Sequence, residues 1–436
     1  MTNRRPNIIF IVADDLGYAD LGCYGGRDPI SPHLDRLAAG GLRLTEGYAN
    51  SSVCSPTRFA LITGRYQYRL RGGAEEPVSS KSRGDARLGL PAAHPTFPSL
   101  LLASGYRTAL IGKWHLGFPP LYGPLSSGYQ EYFGPMGGGV DYFTHCDPNG
   151  IQDLWSGHEV SPQPGYLTDL LSERAVDYVE RMAGGSQPFL LSLHYTAPHW
   201  PWESRDDEAL AAGISGNLFH LHGGNVHTYR RMISHMDEGI GALIAALERH
   251  DSLHDTLIVF TSDNGGERFS DNWPLVGGKM DLTEGGIRVP WIAHWPAVIA
   301  AGTVSAQHCQ TMDWSATVLD AAGVAADPDY PLDGLSLLPV LRDPGVHIDR
   351  PLYWRMTHRG QRAYRSGAWK YLRVDGNEYL FNLDADARER ANLGSREPER
   401  LHRMRSEWEQ WNATLPPIPE DAKATVGYSV KDMPSR

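Results

Sequence analysis

The stretch Ile8-Ile9-Phe10-Ile11-Val12-Ala13-Asp14-Asp15-Leu16-Gly17 sets the reading of the whole chain. An unbroken apolar run without polar alternation is the pattern of a strand covered on both faces, as in a parallel sheet with helices on either side. The run ends in two carboxylates and a glycine. The pattern returns at 257–266, where Leu-Ile-Val-Phe-Thr leads into Ser262-Asp263-Asn264-Gly265-Gly266. Ligands of open α/β sheets bind beyond the carboxyl ends of the strands. Neighbouring strand side chains point to opposite faces, so both members of each pair reach one site only if the chain turns there, which the glycines permit. Asp14, Asp15, Asp263 and Asn264 together offer oxygen donors suited to a hard divalent cation such as calcium, magnesium or manganese. Asp and Asn also cap helices and start turns, and the pairs alone leave both readings open.

Working outward, apolar runs recur at 108–111, 189–194 and 291–295, with helical periodicity at 166–182 and 229–249. Strand alternating with helix predicts an α/β fold with a large, mostly parallel sheet flanked by helices. Between Pro344 and Pro351 the character changes. Short aromatic strands at 352–356, 369–374 and 378–383, turns at Gly367 and Asp375-Gly376, and a helix at 397–411 predict a smaller C-terminal antiparallel sheet subdomain. The expected division is 1–345 for the main domain and 346–436 for the C-terminal part. Residues 67–96, rich in Gly, Ser, Arg and Pro, read as a long loop, a kind of segment that is often functional in compact enzymes.

The composition of the 436 residues, 41% apolar and 21% charged, excludes disordered and fibrous classes. A net charge of −11 gives no general attraction for nucleic acid or an anionic membrane, so an anionic substrate needs a local basic cluster. Cys23, Cys54, Cys146 and Cys309 are too scattered for a disulfide scaffold or a paired-cysteine zinc site. The apolar run near the N-terminus is too short for a signal peptide, and no run approaches the roughly 20 residues of a membrane span. A cytoplasmic protein is expected, with its oligomeric state left open.

The next informative stretch is Ser52-Val53-Cys54-Ser55-Pro56-Thr57-Arg58-Phe59-Ala60-Leu61-Ile62-Thr63-Gly64. It reads as a helix that begins near Pro56 and stops at Gly64. Cys54 then lies at a helix N-terminus, where the dipole and free amides favour an anion, and Arg58 falls on the same face four residues on. A nucleophile beside a permanent cation fits transfer of an oxyanion such as sulfate or phosphate. A structural cysteine with a surface arginine fits these residues equally well.

Cys54-Ser-Pro-Thr-Arg58, continuing to Thr63-Gly64, resembles the first signature of the type I sulfatases, within the alkaline phosphatase superfamily. Gly105-Tyr-Arg-Thr-Ala-Leu-Ile-Gly-Lys113-Trp-His115 is similar to the second. Asp14-Asp15 and Asp263-Asn264 fall where that family places its metal ligands, so the resemblance runs from residue 7 to about residue 300. Further on, Arg365-Ser-Gly-Ala-Trp-Lys-Tyr-Leu and Tyr379-Leu-Phe-Asn-Leu-Asp look like its C-terminal subdomain.

The resemblance implies an alkaline-phosphatase-like fold and hydrolysis of aryl or carbohydrate sulfate esters, with phosphonate monoesters or phosphodiesters as the alternative substrates of the same site. It implies that Cys54 is oxidised to formylglycine by a formylglycine-generating enzyme, and that the aldehyde hydrates to a geminal diol whose oxygen attacks sulfur. The metal ligands implied are Asp14, Asp15, Asp263, Asn264 and residue 54, with calcium first and magnesium or manganese as alternatives. Arg58 would orient the diol, Lys113 would contact the sulfate and His115 would sit beside the diol. His199, in His194-Tyr-Thr-Ala-Pro-His199-Trp-Pro, would protonate the leaving oxygen, and Lys279, which precedes Glu284-Gly285-Gly286, would reach the same oxygen or the sulfate. His194 and Glu284 read as structural. The Gly137-Gly-Gly stretch with Trp155, Trp200 and Trp202 is a candidate rim, and His220, His222 and His227 are expected in a solvated loop.

Overall fold

In the computed structural model, which describes residues 5–214 and 218–425, the run that opens the chain is strand β1 (Asn7–Ala13), buried along its length. Its alternating side chains feed two separate cores. Ile9 and Ile11 face one side of the sheet, and Ile8, Phe10 and Val12 face the other, which is why the run shows no polar partner positions.

The large sheet also contains β2 (Leu42–Leu44), β3 (Arg107–Gly112), β4 (Glu131–Pro135), β5 (Leu154–Ser156), β6 (Glu159–Val160), β7 (Phe189–His194), β8 (Thr256–Ser262), β9 (Trp291–His294) and β10 (Thr303–Ser305). Its order is β10-β2-β9-β8-β1-β7-β3-β4-β5-β6. The central run from β8 through β1, β7 and β3 to β4 is parallel. β9 runs antiparallel to β8, and β5 and β6 are antiparallel additions at the other edge, so the sheet is mixed outside its centre.

Helices α1 (Pro32–Ala39), α3 (Leu167–Met182) and α4 (Val226–Arg249) cover the face that Ile9 and Ile11 enter. Helices α2 (Cys54–Thr63) and α5 (Thr311–Ala322) cover the other, where Trp314 stacks on Trp291 at 5.2 Å between ring centroids. Helix α4 begins earlier than its apolar periodicity indicates. The Asn225 side chain accepts from the amides of His227 and Thr228 and caps it there, so His227 lies on the first helical turn rather than in a loop.

The C-terminal sheet holds β11 (Leu352–Arg355), β12 (Arg362–Ser366), β13 (Trp369–Val374) and β14 (Asn377–Asn382), all antiparallel in sequence order, backed by α6 (Pro398–Asn412). The sequence pattern shows three of these strands and misses β12. Arg-Ala-Tyr-Arg-Ser reads as polar, yet Arg365 is buried because Glu46 and Tyr48 of the larger sheet's side receive its guanidinium.

This sheet shares a core with the loops around Cys54. Leu352, Trp354, Leu372 and Phe381 pack with Tyr48, Val53, Cys54, Met280 and Leu282. Trp354 Nε1 donates to Ala49 O at 2.8 Å. Lys370 Nζ lies 2.9 Å from Glu284 Oε1 and 2.8 Å from Glu389 Oε1, an enclosed group in which each charge offsets the desolvation of the others. Glu284, expected to be structural, is thus the anchor between the two parts of the chain.

Candidate active site

The carboxyl ends of β1, β8, β3 and β7 deliver Asp14-Asp15, Asp263-Asn264, Lys113 and the His194–His199 segment to one edge of the sheet. The turn after β1 is made by Asp15 itself, at φ 65°, a conformation that Asp tolerates better than most residues. The neighbouring glycines serve close approach instead: a Cβ on Gly17 would lie 2.6 Å from Asp271 O, and one on Gly265 would lie 1.9 Å from Gly285 O. The two strand ends are then tied together. Asp15 N donates to Asp263 Oδ1 at 3.3 Å, and Asn264 Nδ2 donates to Asp15 Oδ1 at 2.7 Å.

Cys54 is the first residue of α2, 1% exposed, with Gly64 ending the helix in the left-handed region as its sequence indicates. Arg58, one turn on, is enclosed. Its Nε donates to Asp263 Oδ2 at 3.0 Å, its Nη1 to Lys113 O at 3.2 Å, and its Nη2 reaches Asp14 Oδ2 at 3.5 Å. Lys113 Nζ donates to Asp14 Oδ2, and Lys279 Nζ donates to Asp15 Oδ2 at 2.8 Å. Asp14, Asp15 and Asp263 are thus each paired with a buried basic side chain.

Burial and neighbouring charge set the proton affinities. Burial would raise Asp15, but the Lys279 charge, helped by hydrogen bonds from Lys279 and Asn264, prevails and holds it down to about 2. Burial, then the Asp14 charge, pushes Asp263 up to about 6 against the pull of Arg58 and Lys113. Burial pushes the Cys54 thiol up to about 11 despite Lys113 and Lys279, so the unmodified side chain is a protonated thiol at neutral pH and a poor nucleophile. His115 and His199 are both held neutral by burial, reinforced by the neighbouring lysines.

The imidazoles have defined faces. His115 Nε2 lies 2.8 Å from Val78 O and so carries its proton there, leaving Nδ1 without a partner. His199 Nδ1 lies 2.6 Å from Trp200 O, which leaves Nε2 as the free face, 3.7 Å from Asp15 Oδ2. His194 contacts only Arg58, at 3.4 Å, among its side-chain partners, in keeping with a supporting position.

Cys54, His115, His199 and Lys279 line a cavity of about 240 Å³, with Val78, Ser79, Gly137, Gly138, Gly139 and Trp200 among its other walls. Asp14, Asp15, Arg58, Lys113, Asp263 and Asn264 are not on that surface, and Lys113 in particular is fully enclosed on Asp14. Gly138 gives His115 its room, since a Cβ there would lie 2.5 Å from His115 Cε1.

Of the predicted rim, Trp200 and the triple glycine take part. Trp202 packs on Phe269 at 4.7 Å, and Trp155 bonds Asp153 at 3.0 Å. His220 is buried beside Trp202, unlike the solvated position expected of it, while His222 and His227 are exposed. Sequence reasoning missed Val78, Asp147 and Asn149 at the rim, although the segment 67–96 was marked by its length and composition. It also missed Gln361, whose Nε2 donates to Met280 O at 2.7 Å and whose Oε1 accepts from Leu282 N at 2.8 Å, gripping the loop that carries Lys279.

The residues present suit a cation. Asp14 Oδ1 and Asn264 Oδ1 are buried and have no hydrogen-bond partner among the described residues, which is costly for a polar atom unless something positive meets it. Single ligand atoms from Asp14, Asp15, Cys54 and His199 also lie within 4.8 Å of one another.

The family model described as Sulfatase matches residues 6–324. N-acetylgalactosamine-6-sulfatase of Rattus norvegicus is 32% identical over 370 residues, covering 80% of this chain and 68% of that protein. Arylsulfatase A of Homo sapiens is 34% identical over 403 residues, covering 84% and 74%. Among solved structures, the crystal structure of Ps i-CgsB in complex with k-i-k-neocarrahexaose superposes with a TM-score of 0.85 at 33% identity, covering 94% of this chain and 93% of that one.

Proposed function

This chain belongs to the sulfatase family and is a sulfuric ester hydrolase with an alkaline-phosphatase-like fold, and from that premise we propose that it cleaves a carbohydrate or aryl sulfate in the cavity over Cys54. The observation that carries this reading is that Cys54, His115, His199 and Lys279 line one cavity, with Lys279 paired to Asp15 and with Asp14 and Asp263 paired to Arg58 and Lys113.

The residues proposed to hold a divalent ion, calcium in the first instance, are Asp14, Asp15, Asp263 and Asn264 with residue 54. Bound there, the ion supplies Lewis acidity and turns a neutral site into one with net positive charge, suited to a sulfate ester. Formylglycine at position 54, made by a formylglycine-generating enzyme, supplies the nucleophilic diol oxygen that the thiol cannot.

The other roles follow from the contacts. Arg58 fixes Asp14 and Asp263 relative to the first turn of α2 and holds that turn in place. Lys113 compensates the buried charge of Asp14 from beneath the cavity, and a contact with sulfate is open to it once Asp14 is satisfied otherwise. His115, with its proton committed to Val78, presents Nδ1 as the acceptor for a proton from residue 54. Lys279 is a proton donor as it stands. His199 becomes one when an anionic ester in the cavity favours its charged form at Nε2.

The relatives favour sulfate over the phosphonate and phosphodiester alternative. The division at 345/346 is retained as a proposal, with residues 426–436 outside the described part. No helix among the described residues is long and apolar enough to cross a membrane, and the proposed cytoplasmic location rests on the four free thiols.

Rates on an aryl sulfate and a phenyl phosphonate ester, before and after chelation, test the reading. Sulfate release that chelator abolishes and calcium restores is expected. A faster phosphonate reaction, or indifference to chelator, would overturn it.

A further inference from the structure

A second cavity of about 170 Å³ adjoins the active-site cavity, and Ser79, Lys81 and Thr425 line both. The charged groups of the second cavity do not cancel. Arg71 pairs with Glu75 at 2.6 Å and Asp421 at 3.0 Å, and Arg87 pairs with Asp85 at 3.0 Å and Asp421 at 2.9 Å. The arginines therefore use every carboxylate present, and Lys81 and Lys423, both exposed, have no ion-pair partner among the described residues.

The backbones that carry these lysines are fixed. Lys81 sits in a short 3-10 turn whose Ser80 Oγ accepts from Asn149 Nδ2 at 2.9 Å and whose Ser82 Oγ donates to Ser79 O at 2.7 Å. Lys423 is held where Glu76 N donates to its carbonyl at 2.9 Å, and Thr425 N returns a bond to Glu76 O at 2.8 Å. In a chain of net charge −11, two lysines on held backbone, without an ion-pair partner among the described residues and beside the catalytic cavity, are a local exception that favours an anion.

We propose that this second cavity is a subsite for another anionic group, sulfate or carboxylate, on a sugar joined to the one that loses its sulfate, and that Lys81 and Lys423 read it. The inference rests on the sulfate-ester reading of the Cys54 cavity and narrows it: the substrate class is a saccharide with at least two negative groups on adjacent rings. A lone aryl sulfate fills the first cavity and leaves the lysines unused.

The test is a calorimetric titration of the calcium-loaded full chain carrying Cys54→Ala. The probes are a monosulfated disaccharide, the same disaccharide with a second sulfate on the neighbouring ring, and a monosulfated disaccharide whose neighbour is a uronate. A second anion of either kind is expected to tighten binding about tenfold, the order of two partly exposed charge pairs. The arm with the larger gain identifies the group preferred. The gain should fall below about twofold when Lys81→Ala and Lys423→Ala are added, survive Lys81→Arg with Lys423→Arg, and shrink as salt is raised from about 50 to 500 mM. Equal affinity for all three saccharides, a gain that outlives removal of the lysines, or no detectable binding of any of them would overturn the subsite. Sulfate release from an aryl sulfate by the unsubstituted chain is measured separately. Its absence, with the gain intact, would remove the sulfatase reading and leave the subsite standing.

Discussion

The floor and the rim of the catalytic cavity are built on opposite principles. The floor is made of strand ends and the start of α2, with Asp14, Asp15, Asp263, Arg58 and Lys113 enclosed and each charge answered by another within a few ångströms. The rim is made of loops, with Ser79, Lys81, Asn149 and Thr425 partly or fully open to solvent, Asp147 buried against Arg83, and two lysines without an ion-pair partner among the described residues. Enclosed charges of fixed geometry suit chemistry common to all sulfate esters, since they need no reorganisation when charge develops. Open loops suit recognition of the particular alcohol, where change costs the fold little.

Substitutions should separate the two regions in proportion. Cys54→Ala removes the nucleophile and should lower turnover by at least about 10⁴-fold while leaving the melting temperature nearly unchanged. Steady-state sulfate release and a thermal melt check both halves. Asp263→Ala should cost about 10³-fold in activity and lose calcium with it, because a proposed ligand disappears and Arg58 is left buried without its nearest partner. Calorimetric calcium titration would contradict the assignment if affinity were unchanged.

Buried carboxylates, one in the floor and one behind the rim, also predict a pH dependence of stability in chelated protein. Burial pushes Asp263 up to about 6 and Glu76 up to about 7, both above their values in an unfolded chain. The stabilisation linked to a raised carboxylate is complete below its unfolded value near pH 4 and is lost as pH rises through its folded value. Melting temperature without calcium should therefore fall between about pH 4 and pH 7, with Asp263 accounting for on the order of 2–3 kcal/mol of the change. Asp263→Asn should flatten its share of that slope, and an unchanged slope would show that another group carries it.

Gln361→Ala loosens the loop that carries Lys279 without touching the cavity. A drop of about tenfold in kcat with little change in KM is expected, and Gln361→Glu, which keeps the bond from Leu282 N but loses the donor to Met280 O, should fall between. A loss confined to KM would place Gln361 in binding instead. At the small end, His227→Ala on the exposed first turn of α4 should shift stability by no more than about 0.5 kcal/mol and leave rates alone, as urea melts and kinetics would show.

The same division explains what could be read before the fold was known. The strands that carry the floor are unbroken apolar runs, so the pattern that predicts burial also sets Asp14-Asp15 and Asp263-Asn264 at strand ends, whereas only the resemblance of 105–115 to a sulfatase signature singles out Lys113. Helix start, spacing and Gly64 place Cys54 and Arg58 on one helical face, and their roles come from the resemblance. Contacts between distant segments were not legible. Val78 enters through a backbone carbonyl, which any residue could supply. Gln361 grips backbone atoms some 80 residues away through a common polar side chain. β12 is hidden because its buried arginine is satisfied by partners that only the fold brings near. His220 was expected in solvent for the same reason, as Trp202 and the neighbouring loop cover it only in three dimensions.

The proposed chemistry stands on residue 54 acting as formylglycine above a cation-binding floor. The most direct measurement is the rate of sulfate release from an aryl sulfate against the fraction of residue 54 converted, determined by mass spectrometry of the peptide that contains it. Conversion is varied by co-expressing different amounts of the generating enzyme. Activity should rise in proportion to conversion and extrapolate to zero in protein that retains the thiol. Full activity in preparations with Cys54 wholly unconverted would contradict it.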